Sequence, residues 1–140
     1  IFAAQCYIGL GKHLNAPVVG FVTSKLPDWL YKPFANPFNP SYQATLFSSH
    51  SQRMTFKERV LNTLITTVLT MQFNYFLGNQ VPMVEKYFNR KISSMSELYD
   101  DVSLVLVNEH FSIQEIKPAT PDIIDVGGLH VNDQDQKLSP

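Results

Sequence analysis

Cysteine is almost missing from this sequence. Cys6 is the only one, so no internal disulfide can form, and no Cys/His spacing suits a zinc site. No run of about eighteen apolar residues occurs, which excludes a membrane-spanning helix within these residues. Charge is sparse and balanced, with 11 Lys and Arg against 12 Asp and Glu. The basic residues are scattered, Arg53, Lys57, Arg59 and the pair Arg90-Lys91 being the densest, so the chain has no electrostatic footprint for nucleic acid. Internal repeats, low-complexity tracts and G-x-G-x-x-G are lacking, and no Ser, Cys or Lys stands in a nucleophile motif. The first residue is Ile1, and the opening Ile-Phe-Ala-Ala-Gln-Cys lacks the charged flank and cleavage site of a signal peptide. It reads as the middle of an element, and a fragment of a longer protein is the expectation.

What is present is enough to build a core: 140 residues, 44% hydrophobic and 12% aromatic, the size of one domain or of one half of a larger one. Two apolar runs organise the C-terminal part, Val102-Ser103-Leu104-Val105-Leu106-Val107 and the shorter Ile123-Ile124-Asp125-Val126, which ends at Gly127-Gly128. Strands packed by helices on both faces read as unbroken hydrophobic runs, so these predict a parallel α/β sheet with flanking helices. Upstream, residues 3–14 carry Tyr7, Leu10 and Leu14 with Gly9 and Gly11 between them. That pattern predicts a short packed helix whose glycines allow close approach to a sheet. Asn15-Ala16-Pro17 breaks it, and residues 18–23 follow as another buried strand. Thr55-Phe56-Lys57-Glu58 fits a capping box that starts a long helix, with Phe56, Val60, Leu64 and Val68 on an apolar stripe expected to face the core or a pocket. The alternative, a helix lying on a membrane surface, lacks the Lys/Arg-rich polar face that such helices show. A helix over 81–88 and a second capping box at Ser94-Met95-Ser96-Glu97 lead into the strand at Val102.

Residues 24–49 have no periodicity and are rich in Pro, Asn and aromatic rings. Loops beyond about 12–15 residues are usually functional or disordered, and the rings argue against disorder. The segment leaves a buried strand at the sheet end where ligands collect. It is therefore expected to wall an apolar, hydroxyl-bearing ligand, with Trp29 and Tyr31 as contact area and Ser24, Asp28 and Tyr31 as polar anchors. The bland reading is that the rings pack the loop onto its own domain.

The four histidines are assigned structural roles ahead of catalytic ones. His13 closes a helix where it can bond the last carbonyls, and His50 precedes the capped helix. His110 and His130 follow strand ends, the better places for a site. Asp100 and Asp101 are adjacent, so their carboxylates diverge and do not form an acid/base pair.

Four motifs together carry a likeness: Asn39-Pro40-Ser41-Tyr42; residues 54–62, Met-Thr-Phe-Lys-Glu-Arg-Val-Leu-Asn; Val105-Leu106-Val107-Asn108; and Val126-Gly127-Gly128-Leu129-His130. In this order and spacing they resemble the animal UDP-glycosyltransferases, the insect branch more than the vertebrate one. The resemblance implies a partial Rossmann-like sheet within a two-domain GT-B glycosyltransferase. Residues 1–131 would be the C-terminal portion of the acceptor-binding N-terminal domain, and 132–140 the start of the interdomain linker. It implies transfer of a hexose, glucose or glucuronate, from UDP-sugar to a hydroxyl of a small lipophilic acceptor, with inversion and without metal or other cofactor. In such enzymes a His near the mature N-terminus is the general base and an acidic residue orients it. Both would lie at or upstream of Ile1, so no catalytic residue is assigned here and the isolated chain is expected to be inactive. UDP-sugar would be bound mainly by the missing C-terminal domain. The resemblance also implies an endoplasmic reticulum membrane location on the lumenal side, with the anchor outside this chain, and it leaves homo-oligomerisation open. The competing reading is a non-catalytic α/β module that binds a lipophilic small molecule or a partner.

Overall fold

The computed structural model describes residues 4–51, 53–110, 112 and 117–129. Its centre is a parallel sheet of three strands in the order β1 (Val18–Val22), β2 (Val102–Val107), β3 (Ile123–Asp125). Gly20, Val105 and Ile123 form one cross-strand row, and Val22, Val107 and Asp125 another. This is the parallel α/β sheet expected from the unbroken apolar runs, and it has the architecture of a partial Rossmann-like fold.

Only one face of that sheet is covered by described residues. Gly20, Val105, Val107 and Ile123 are buried, whereas Val19 and Phe21 on the other face are 54% and 43% exposed and Ile124 is 43% exposed. Side chains alternate between faces along a strand, so the pattern is one covered side and one open side. The expectation of cover on both faces is met on one.

The covering layer comes from what surrounds the strands in sequence. Before β1 lie a 3-10 turn, Gln5–Ile8, and α1 (Gly9–His13). Gly11 sits so close to the start of β1 that a β-carbon there would collide with Val18, and this is the close approach its composition suggested. The apolar side chains behave differently from expectation: Tyr7, Leu10 and Leu14 are exposed, and Gln5, Ile8, Gly9 and Gly11 face inward. After β1 comes α2 (Asp28–Tyr31), a single turn inside the long irregular segment. Then follow α3 (Phe56–Gly78), α4 (Val81–Phe88) and α5 (Ser96–Tyr99), which leads directly into β2. Leu26, Leu30, Tyr31, Val84, Leu98 and Tyr99 close over the sheet as the core.

The start of α3 follows its sequence signature. Thr55 Oγ1 accepts from the Glu58 N–H, and the Glu58 carboxylate accepts from the Thr55 N–H at 2.7 Å. The bonds that its carboxylate accepts from the Thr55 N–H and the Thr55 hydroxyl hold the Glu58 carboxyl below the ordinary carboxylate range because they favour its charged form. The face of α3 is reversed from expectation. Phe56, Val60, Leu64 and Val68 are exposed, while Asn62, Thr66 and Leu77 are buried, with Phe73 partly buried beside them. The second capping box also resolves differently. Glu97 accepts from the N–H of Ser93 at 2.8 Å, and α5 begins at Ser96 after Met95 with no side-chain cap. α4 ends on Asn89 in the left-handed region, φ 50°, a conformation asparagine tolerates. Among the described residues no helix is long and apolar enough to cross a membrane. His130 and residues 131–140, the proposed linker included, lie outside the described residues.

Candidate functional site

The carboxyl ends of β1 and β2 are tied together before any site is built on them. The Asn108 N–H donates to the Val22 carbonyl at 2.9 Å, and its side-chain amide donates to the Thr23 carbonyl at 3.1 Å. Next to it Glu109 is buried, only 2% exposed, at the position where a ligand is expected in an open α/β sheet. Its Oε2 accepts from the Leu26 N–H at 3.4 Å and pairs with the Lys117 ammonium. Its Oε1 is buried with no hydrogen-bond partner among the described residues. Gly127 lies against the same backbone: a β-carbon there would stand 2.5 Å from the Glu109 carbonyl oxygen. The glycine of the Val-Gly-Gly-Leu motif is thus needed for the turn to pass the end of β2.

From these strand ends the segment 24–49 runs out and back. Ser24, at its start, is exposed and donates only to the neighbouring Lys25 carbonyl. Asp28, Trp29 and Tyr31 share the one turn of α2 and are all buried. Asp28 faces the returning limb of the loop, where its carboxylate accepts from the Thr45 hydroxyl and from the Leu46 N–H at 3.2 and 3.3 Å. Burial raises its pKa above the ordinary carboxylate value, and the bonds from Thr45 and Leu46 and the charge of Lys25 offset part of that rise. Trp29 stacks on Phe73 of α3 with centroids 3.7 Å apart, and Phe47 lies nearly parallel to both rings at 6.3 and 6.4 Å. Tyr31 is only 2% exposed and packs on Phe38. Burial, with the nearby Glu109, Asp28 and Asp125 carboxylates, pushes its phenol well above the ordinary tyrosine range.

Of the four residues named from sequence, the structure therefore groups three on α2 and leaves Ser24 apart. One of them borders a groove. A concave space of about 880 Å³ on the helical flank is lined by Trp29, Asn74, Leu77 and Val81 on one side and by Ser93, Met95 and Tyr99 on the other. Its volume is in the range of small-molecule sites, and its lining mixes apolar residues with polar and charged ones, Lys32, Glu97 and Asp100 among them. None of the lining residues comes from the strand ends themselves.

The remaining candidates are dispersed. His13 ends α1 with its ring edge-on to Phe88, His50 stands 4.0 Å from Glu58, and His110 Nδ1 is 2.6 Å from the Ser112 hydroxyl. Asp101 pairs with Arg90, while Asp100 points toward the flank groove. Among the described residues no three His, Cys, Asp or Glu side chains gather to hold a metal. Sequence reasoning missed Asn62, Thr45, Glu109 and Lys117. The available signals were the place of Asn62 in the 54–62 motif and that of Glu109 just past the end of β2.

The fold defines a partial Rossmann-like α/β unit with a ring-rich irregular loop at the end of β1. The family comparison is more specific: the model for UDP-glucoronosyl and UDP-glucosyl transferase matches residues 3–139. The chain belongs to that family. It is 30% identical over 135 residues to UDP-glucosyltransferase 2 of Dactylopius coccus, covering 95% of this chain and 26% of that protein. It is 30% identical over 125 residues to UDP-glucuronosyltransferase 1A9 of Mus musculus, covering 89% of this chain and 24% of that one. The chain thus spans about a quarter of the length of the curated relatives it matches. No solved structure matches it.

Proposed function

We propose that this chain is part of the acceptor-binding N-terminal domain of a UDP-glycosyltransferase, residues 1–131 belonging to that domain and 132–140 opening the linker. The whole enzyme would move a hexose from UDP-sugar to a hydroxyl of a small lipophilic acceptor. The acceptor oxygen attacks the anomeric carbon opposite the departing UDP, so the configuration inverts. The base and its acidic partner lie upstream and the UDP-sugar site mainly downstream. This chain supplies wall: the ring-rich segment 24–49, with Ser24, Asp28, Trp29 and Tyr31 as its acceptor-side residues. The remaining chain would cover the open sheet face, and a lumenal endoplasmic reticulum location follows from the same reading. The observation that carries the proposal is the family match along nearly the whole chain, joined to a loop of buried rings at the end of β1.

The test is turnover by the full-length protein. Incubated with UDP-glucose or UDP-glucuronate and a panel of lipophilic alcohols, it should release UDP and yield a glycoside of inverted anomeric configuration. The isolated 140-residue chain should release none. Acceptor binding by the full-length protein without turnover of either donor would overturn the enzyme reading in favour of a binding module.

A further inference from the structure

Two of the motifs that carry the family likeness meet in space. Asn62, from the segment that opens α3, is fully buried and makes three hydrogen bonds, all to backbone of the irregular segment. Its amide donates to the Pro40 carbonyl at 2.7 Å and to the Gln43 carbonyl at 2.9 Å, and its carbonyl accepts from the Thr45 N–H at 3.0 Å. Pro40 is the second residue of Asn39-Pro40-Ser41-Tyr42. Asp28 takes hold of the next two residues through the Thr45 hydroxyl and the Leu46 N–H. The residue that follows is Phe47, 55% exposed, lying parallel to the buried Trp29 and the partly buried Phe73.

We propose that Asn62 and Asp28 form a buried clamp that fixes residues 40–46 and thereby positions Phe47 beside the Trp29–Phe73 stack, so that Phe47 is a specificity-determining residue for the acceptor and the clamp pair are positioning residues acting through it. The proposal rests on the acceptor-wall reading above. Its physical basis is that an irregular backbone buried against a helix must have its donors and acceptors satisfied, and here two side chains satisfy four backbone groups and one hydroxyl just before the ring. Among the described residues the hydrogen bonds that the Asp28 carboxylate accepts come from Thr45 and Leu46, so within the clamp it acts on the acceptor through the loop.

The test uses the full-length protein and two readouts. Asn62→Ala should speed amide exchange at Thr45 and Leu46 and raise acceptor KM about tenfold, with UDP-sugar KM within about twofold. Phe47→Ala should raise acceptor KM similarly while leaving exchange at Thr45 slow. In the double variant the two losses should not add, because both act through one ring. Asp28→Asn, which keeps an oxygen for the Leu46 N–H, should raise acceptor KM less than Asp28→Ala does. Should Asn62→Ala fail to fold, Asn62→Asp, which keeps the Thr45 acceptor and loses both amide donors, serves instead. Unchanged exchange at Thr45 and Leu46 would overturn the clamp. Additive losses, or donor and acceptor KM rising together, would overturn the role of Phe47. If wild-type protein turns over no UDP-sugar, the enzyme reading fails, and the exchange result still decides the clamp.

Discussion

Segment 24–49 contains no regular element longer than the single turn of α2, yet Asp28, Asn62 and Glu109 hold its backbone from three directions. The helix α3 is its opposite. It has 23 regular residues and a complete capping box, but turns an apolar face outward and a partly polar one inward. Regularity of backbone and commitment to a packing partner are therefore separate properties. The loop is committed because the backbone groups of Leu26, Pro40, Gln43, Thr45 and Leu46 have directional side-chain partners, and misplacing any of them leaves an unsatisfied donor or acceptor. The helix satisfies its own backbone and can present either face, so its orientation is decided by what the other faces find.

The sharpest way to break this contrast is Trp29→Ala, which removes the ring stacked on Phe73 where loop and helix meet. Loss of a buried tryptophan costs about 3–5 kcal/mol, so the urea midpoint of the full-length protein should fall steeply. Acceptor preference should change as well, with affinity for UDP-sugar nearly kept. An unchanged midpoint would mean that the stack does not join the two regions. A smaller effect is expected from Asp28→Asn, read as a function of pH. Burial makes the folded protein hold this proton more firmly than the unfolded chain. The stability this group contributes is complete below its ordinary value of 3.8 and is lost as pH rises through the raised folded value. The asparagine variant does not titrate, so it should gain on the wild type as pH rises out of the acid range. Parallel urea midpoints for the two proteins across that range would contradict this. Smallest is Leu64→Gln on the outward face of α3. On an open surface it should shift stability by no more than about 0.5 kcal/mol. A loss of about 2 kcal/mol or more in the full-length protein would show that the rest of the chain covers this face.

What could be read from sequence divides along the same line. The strands were legible because Val102–Val107 is almost continuous aliphatic residues, and the start of α3 because Thr55 and Glu58 satisfy each other locally. The single turn of α2 and the burial of its rings were not legible, since they depend on Phe73 and Thr45, well apart in sequence. The inward face of α3 was hidden for a related reason. Apolar residues lie all round it, and the stripe that looked like a core face is the one the described residues leave open. Asn62 was visible only as part of a likeness, and its reason, three bonds to a loop 17 to 22 residues earlier, is a tertiary fact. Of the proposed acceptor residues, the grouping of Asp28, Trp29 and Tyr31 followed from their adjacency in sequence. That Trp29 alone of the four borders the flank groove did not.

The register of the sheet also sets an order in time. Val18 pairs with Val102 and Val22 with Val107, so roughly eighty residues separate partners in adjacent parallel strands, a long closure of the kind that slows folding. At a synthesis rate of about 5–20 residues per second, β1 leaves the ribosome several seconds or more before its neighbour exists. During that interval the edge that will pair with β2 is bare, and the parts of the chain able to form are the local ones: the loop as held by Asp28 and Asn62, α3 and α4. The loop and α3 are thus available as a scaffold onto which β2, when it arrives, completes the sheet.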